Sequence, residues 1–528
     1  MKNRKFTYTF FTIALLIPGS LFAQQSEEDA INSITASELR DHIFFLASDY
    51  LNGRYAPTAD YAIAAKYVES QFAAAGLEPV VEQEDGSMSY LQGVPFAKTE
   101  YSDELRWRII KDGTENELTH REDFKVMMGS KLNYNKAEMV WVGYGIEEPD
   151  HKWNDFKGLD VKGKIMICMG GAPIKKGKPV LPEDIHKKYI GQQGFSTKIS
   201  QTLFRKGAAG IILIDLDSEI GVGYDQIPSQ ISKEKYVFKG DDNESQMGSF
   251  PSIYLVKSNF LNTIFADSKN NPLKNPDNIL KHYKTQVLED TYLTAGIEII
   301  SEDIILSNNV IGMVAGTDPE LKNEYIVVGA HLDHVSPQQG QVCNGADDNA
   351  SGSSGVMEIA EAVAMNPFKR SVIFITFTAE EMGLIGSRFF LNSDLFPKEQ
   401  IKFNINMDMI GRSDPKNEES RAHYVVTHKK YVNELEAFIN EINDGVTDFP
   451  LIINNDEDSP GGSDHQSFIG EDIPAFFFFS GLHRDLHRPT DDADKIDYPK
   501  AESISKLAYL IASKLANMET VPSFEAVK

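Results

Sequence analysis

After about Asn308 the hydrophobic positions fall into a repeating rhythm of strand, turn and helix. YIVVGAH (325–331), SVIFITFT (371–378) and IKFNINMDMIG (401–411) are nearly continuous apolar runs, the pattern of strands buried on both faces. Ser351 to Met365 instead sets Val356, Ile359, Ala360, Val363 and Ala364 on one helical face. A helix near Lys430–Ile442, a strand at IPAFFFFS (473–480) and a last helix from about Pro499 to Met518 follow. Apolar strands alternating with helices predict an α/β fold: a mostly parallel, mixed sheet sandwiched by helices.

Two further patterns lie upstream. Thr35-Ala-Ser-Glu38 reads as a capping box, with Leu39, Ile43 and Leu46 at helical spacing behind it. A second helix is predicted from about Thr58 to Ala75, with Gly76 at its C-terminal cap and Pro79 barring a restart. Between Met139 and Val256 the pattern changes to short strands broken by Gly and Pro: MVWVGYGI (139–146), GKIMICMG (163–170), GAAGIILID (207–215) and FPSIYLV (250–256). That stretch predicts a compact α+β unit, and it holds no His, Asp or Glu cluster with ligand spacing.

Composition narrows the function classes. With 52 basic against 78 acidic side chains the net charge is −26, which leaves no electrostatic footprint for nucleic acid. Lys2, Arg4 and Lys5, the apolar run Phe10–Ile17 and small residues up to Ala23 predict a secretory signal peptide over 1–23. The mature chain is then expected outside the cytoplasm, periplasmic or extracellular, with no membrane span after signal removal. Two cysteines, Cys168 and Cys343, are too few for a disulfide scaffold, and buried thiols are expected.

The candidate chemistry sits at strand ends, where open α/β sheets form their sites. His331 and Asp333 (HLDH, 331–334) close the first strand, and Asp347 and Asp348 lie in GADDNASG (345–352). Glu380 and Glu381 follow the second strand, Asp408 ends the third, and His487 lies in LHRPTDD (486–492) after the FFFF strand. Singly, each has an ordinary explanation; adjacent aspartates before a helix, for example, are usual cap and dipole partners. Jointly they form an N/O donor set of the kind zinc accepts. Asp348, Glu381 and Asp408 would bring three negative charges to one spot, which two Zn2+ ions per chain offset better than one.

In this order HLDH, GADDNASG, TAEEMGLIGS, NMDMIG and LHRPTDD resemble the co-catalytic di-zinc family of bacterial leucyl aminopeptidase, aminopeptidase Y and glutamate carboxypeptidase, over about Ser307 to Ala512. The resemblance implies a zinc exopeptidase fold in which His331 and Asp408 ligate one zinc, Glu381 and His487 the other, and Asp348 bridges them. It also implies Glu380 as general base, Asp333 as the partner orienting the His331 imidazole, and a cis peptide at Asp348–Asn349. Ser463, Asp464 and His465, in SPGGSDHQSF (459–468), resemble the family's substrate-side loop. GLDVKGKIMICMGG, RKGAAGIILID and FPSIYLV resemble a protease-associated (PA) domain inserted in several members of that family. The implied organisation is a discontinuous peptidase domain over 24–128 and 263–528, with the PA insertion over 129–262.

The function implied is an aminopeptidase acting on peptides with a free N-terminus. A carboxypeptidase of the glutamate carboxypeptidase type would need arginines for the terminal carboxylate, and Arg388, Arg412, Arg484 and Arg488 are available. A glutaminyl-cyclase-like acyl transferase usually lacks the insertion. A non-catalytic, receptor-like binding protein on the same scaffold would have lost ligands that are all present here.

Overall fold

A computed structural model of the chain describes residues 26–129, 132–191, 194, 197–198, 205–215, 224, 229, 234–240, 251–265, 271, 285–337, 340–456 and 462–524. The expected signal peptide lies outside these residues. No helix among them is long and apolar enough to cross a membrane. The chain divides into two compact units, one of residues up to Gly93 together with Asn308 onward, the other Val94–Ser307.

The elements of the first unit that matter here are, in chain order, α1 (Glu27–Ser33), α2 (Ala36–Leu46), α3 (Ala59–Ala74), the end of a long strand β1 (Gln286–Val314), β2 (Tyr325–His331), α4 (Gly352–Met365), β3 (Ser371–Phe377), α5 (Ile385–Asn392), β4 (Ile401–Met407), β5 (His423–Thr427), α6 (Val432–Ile442), β6 (Leu451–Asn455), α7 (His465–Gly470), β7 (Ala475–Phe479) and α8 (Tyr498–Asn517). The Thr35 hydroxyl caps α2 by accepting the Glu38 amide, and Gly76, with φ of 81°, follows α3 where the sequence places its cap.

The sheet order is β6-β5-β7-β4-β2-β3-β1. β7, β4, β2 and β3 run parallel to one another, so their C-terminal ends share one edge. β1 pairs antiparallel with β3 and β5 antiparallel with β7, which makes the sheet mixed. Side chains alternate between faces along each strand. Val327, Ile373, Ile375 and Phe377 pack with Phe390 and Leu391 of α5 and Phe468 of α7. α4, α8 and α2 pack together over the other face. Burial on both sides is why β3 has no polar alternation: all seven of its residues are buried.

The second unit carries a parallel run of Tyr134–Trp141, Ile165–Met169, Gly210–Asp215 and Ser252–Lys257, with Phe124–Met128 antiparallel at one end. The sequence sets the joins at 128/129 and 262/263, whereas the compact units part at 93/94 and 307/308. The difference comes from two long strands. Arg106–Lys111 pairs with Thr114–Thr119, and Gln286–Ala295 pairs with Tyr134–Trp141, so both segments side with the second unit. Neither cysteine is in a disulfide, and both are buried. Burial pushes the Cys168 thiol up to about 11, which keeps it inert.

Candidate metal centre

Four parallel strand ends deliver the polar residues to one place. His331 is the last residue of β2, Asp408 directly follows β4, Glu380 and Glu381 lie in the turn after β3, and His487 follows β7. Asp348 comes from the turn Ala346–Ser351 that leads into α4, and the Asp348–Asn349 peptide is cis, as the resemblance implies. Asn349 ties this turn to β4: its side chain donates to the Met407 carbonyl (2.9 Å) and accepts from the Gly352 amide (2.9 Å). Gly352 permits that approach, since a Cβ there would lie 2.1 Å from the Met407 carbonyl oxygen.

The donor atoms form two groups that share Asp348. In the first, His331 Nε2 lies 3.4 Å from Asp348 Oδ1 and 3.3 Å from Asp408 Oδ1. In the second, His487 Nε2 lies 3.1 Å from both Asp348 Oδ2 and Glu381 Oε1. Each Asp348 oxygen thus faces a different imidazole. Glu381 Oε1 and Asp408 Oδ1 are buried without a hydrogen-bond partner among the described residues. Orphaned carboxylate oxygens facing imidazole nitrogens are costly unless something else coordinates them. This donor set fits a pair of divalent cations such as zinc.

Electrostatics point the same way. Burial would lower the pKa of His331, but Asp408 and Glu380 outweigh it and hold it well above the usual imidazole range. Contacts with Asp348 and Glu381 raise His487 to about 11. Burial would raise Asp348, yet His334 and the other imidazoles hold it well below the carboxylate range. Glu380 is pushed well above its ordinary value by burial, and by Asp464, Glu381 and Asp408 against the pull of His331. So much negative charge in a dry site demands cations, whether protons or metal ions.

Asp333 acts differently from the expectation. The His331 Nδ1 nitrogen lies 3.0 Å from the Asp333 backbone carbonyl, not from its carboxylate. The carboxylate instead accepts the amides of Glu380 (3.0 Å) and Glu381 (3.4 Å), and so fixes the glutamate turn. Asp347 lies outside both donor groups: its carboxylate accepts the Gly411 amide (2.7 Å) and faces His483 (3.2 Å). Ser463, Asp464 and His465 are each fully buried, with His465 stacked on Phe477 at 4.3 Å, so none lines an exposed wall. Burial pushes His465 down to about 3, so it stays neutral.

Three further residues, given no role in the sequence analysis, support or join the centre. Arg54, fully buried, donates to the carbonyls of Leu46, Leu332, Asn344 and Gly345, and so pins the loops carrying His331 and Asp348. Asp491 accepts the amides of Asp347 (3.1 Å) and Asp348 (3.2 Å). His334, visible in HLDH but given no role there, places Nδ1 3.1 Å from Glu381 Oε1 and 3.5 Å from Asp348 Oδ2. The extra histidine of that motif was the only available hint.

Residues 309–512 match peptidase family M28. Leucine aminopeptidase 2 of Trichophyton rubrum is 33% identical over 179 residues, 33% of this chain and 33% of the relative. Leucine aminopeptidase 1 of Ajellomyces dermatitidis is 26% identical over 216 residues, 38% of this chain and 56% of the relative. The chain therefore spans between a third and just over half the length of these curated relatives. Among solved structures, an aminopeptidase from Aneurinibacillus sp. strain AM-1 is similar over 95% of this chain and 99% of its own, with TM-score 0.54 and 19% identity. A zinc aminopeptidase from Bacillus subtilis is similar over 93% and 98%, with TM-score 0.52 and 18% identity. At these identities the structural likeness speaks for the fold alone.

Proposed function

We propose that this chain, whose residues 309–512 belong to peptidase family M28, is an exported zinc-dependent aminopeptidase that removes N-terminal residues from peptides. The observation that carries the reading is the division of Asp348, whose two carboxylate oxygens face separate imidazole–carboxylate groups. His331, Asp348 and Asp408 would hold one ion; Asp348, Glu381 and His487 would hold the other. When bound, such a pair polarises a carbonyl and lowers the pKa of water from 15.7 toward about 7.

The remaining work falls to the chain's own side chains. Glu380 takes the proton of the attacking water and passes it to the leaving amine, a transfer worth about 10²–10⁴-fold in rate. Its raised proton affinity suits a group that must hold that proton between the two steps. Asp333 positions it: by gripping consecutive amides it holds the turn from which Glu381 and Glu380 diverge. His487 is 45% exposed while His331 is 1% exposed, so substrate enters from the His487 side, and the surrounding carboxylates favour a cationic α-amine. The leucine aminopeptidases that match part of the chain support this substrate class.

In the same reading residues 129–262, within the second unit, are a PA-type insertion, and all the residues assigned to the centre lie outside them. The test is a panel of aminoacyl substrates and N-blocked peptides, run with and without chelator. Chelator-sensitive release from free N-termini is the expected result. Release of C-terminal residues from N-blocked peptides would overturn it in favour of a carboxypeptidase.

A further inference from the structure

His334 is fully buried, and neither ring nitrogen has a hydrogen-bond partner among the described residues. His423 and His465 are buried in the same way, but of the three only His334 belongs to a group of donor atoms that could hold a metal ion. Its placement is enforced from outside. A Cβ on Gly345 would come within 2.6 Å of His334 Cγ and Cδ2, so only glycine there leaves room for the ring. The ring stands edge-on to His487, with centroids 5.5 Å apart, and turns Nδ1 toward the same two carboxylate oxygens that His487 faces.

The four atoms His334 Nδ1, Asp348 Oδ2, Glu381 Oε1 and His487 Nε2 lie within 4.8 Å of one another, and four of their separations are 3.1, 3.1, 3.1 and 3.5 Å. Donors bound tetrahedrally to zinc at about 2.0–2.1 Å stand roughly 3.3 Å apart. The group already has those dimensions. By contrast, the other group offers three protein donors, His331, Asp348 and Asp408.

Building on the two-metal reading above, we infer that His334 is a fourth protein ligand to the ion held by Asp348, Glu381 and His487. That ion would then have four protein donors against three for the other, so the two should differ in how tightly they are held.

The readouts are metal content and release. The zinc-loaded wild-type chain should lose its ions to a chromogenic chelator in two phases, one fast and one slow. In His334→Ala the slow phase should disappear, with at least tenfold weaker binding of one ion and unchanged binding of the other. A measurement on the wild type needs no variant to fold: zinc titrated into chain with ¹⁵N-labelled histidine should shift three imidazoles, those of His331, His334 and His487. Two shifted imidazoles, or a His334→Ala chain that binds both ions as the wild type does, would overturn the assignment of His334 and leave the two-metal reading intact. A wild-type chain that binds no zinc would overturn both.

Discussion

Glu380 and Glu381 are neighbours in sequence with opposite electrostatic surroundings. Burial and three carboxylates raise Glu380, whereas the imidazoles of His334 and His487 outweigh burial and Asp348 to keep Glu381 lowered. A lowered carboxylate suits a ligand and a raised one suits a proton carrier. Glu380→Gln should therefore keep both metal ions and the fold while turnover falls by about 10²–10⁴-fold. Metal analysis beside initial rates checks this, and near-normal turnover would remove the base assignment. Arg54 illustrates what sequence leaves hidden. Nothing around residue 54 hints that its guanidinium joins the nearby Leu46 carbonyl to those of Leu332, Asn344 and Gly345, 278 to 291 positions further along the chain. A lysine ammonium has three donors and no planar fork. Arg54→Lys should thus leave buried carbonyls unmet, costing about 1–3 kcal/mol for each one orphaned, read from urea midpoints.

Among elements, the strands legible in the sequence were those whose residues are buried on both faces, because continuous apolar runs have few other uses. β2, β3, β4 and β7 fall within the stretches read from sequence. β5 and β6 escaped notice: they are short, and all five residues of β6 are only partly buried, so no apolar run announces it. The strands Leu91–Lys111 and Gln286–Val314 escaped for a related reason, since polar residues interrupt both along their length. Helix α8 carries a feature that its amphipathic pattern could not reveal. Lys500, in its first turn, is fully buried and donates to the Arg412 carbonyl (2.6 Å) and the Ser413 hydroxyl (2.7 Å), holding the segment beyond β4. Burial lowers its pKa to about 8. The unfolded chain, with lysine near its usual value of about 10.4, then binds more protons than the folded one between those limits. This group's contribution should make stability rise with pH from about 8 to 10.4, having been unfavourable below that window. Urea unfolding at several pH values, compared with Lys500→Met, isolates it: the variant should lose that slope, and an unchanged slope would refute the role of Lys500.

At the scale of the whole molecule, the chain contains separate hydrophobic cores. Trp107, Phe124, Trp141 and Tyr254 belong to a core in the second unit, while Ile373, Phe377, Phe390 and Phe468 belong to one in the first. Every donor atom of the candidate metal centre belongs to the first unit, although the segments that build it lie on both sides of the second in sequence. Arg54 comes from before the second unit and its targets Leu332, Asn344 and Gly345 from after it, so the loops bearing His331 and Asp348 are braced by a residue from the other half of the discontinuous unit. A ligand that binds only the folded state stabilises it by RT ln(1 + [L]/Kd), about 4 kcal/mol at a thousandfold excess over Kd. For a unit of roughly 300 residues, at about 2.1 cal/mol/K per residue, each kcal/mol moves the midpoint by about 1.6 °C. Calorimetry of the zinc-loaded and chelated chain should accordingly show two transitions. Chelation should lower the midpoint of the unit bearing the centre by several degrees and leave the other where it was. A chelated chain in which both transitions fall together would mean that the two cores unfold as one, and one in which neither moves would mean that no metal is bound at the centre.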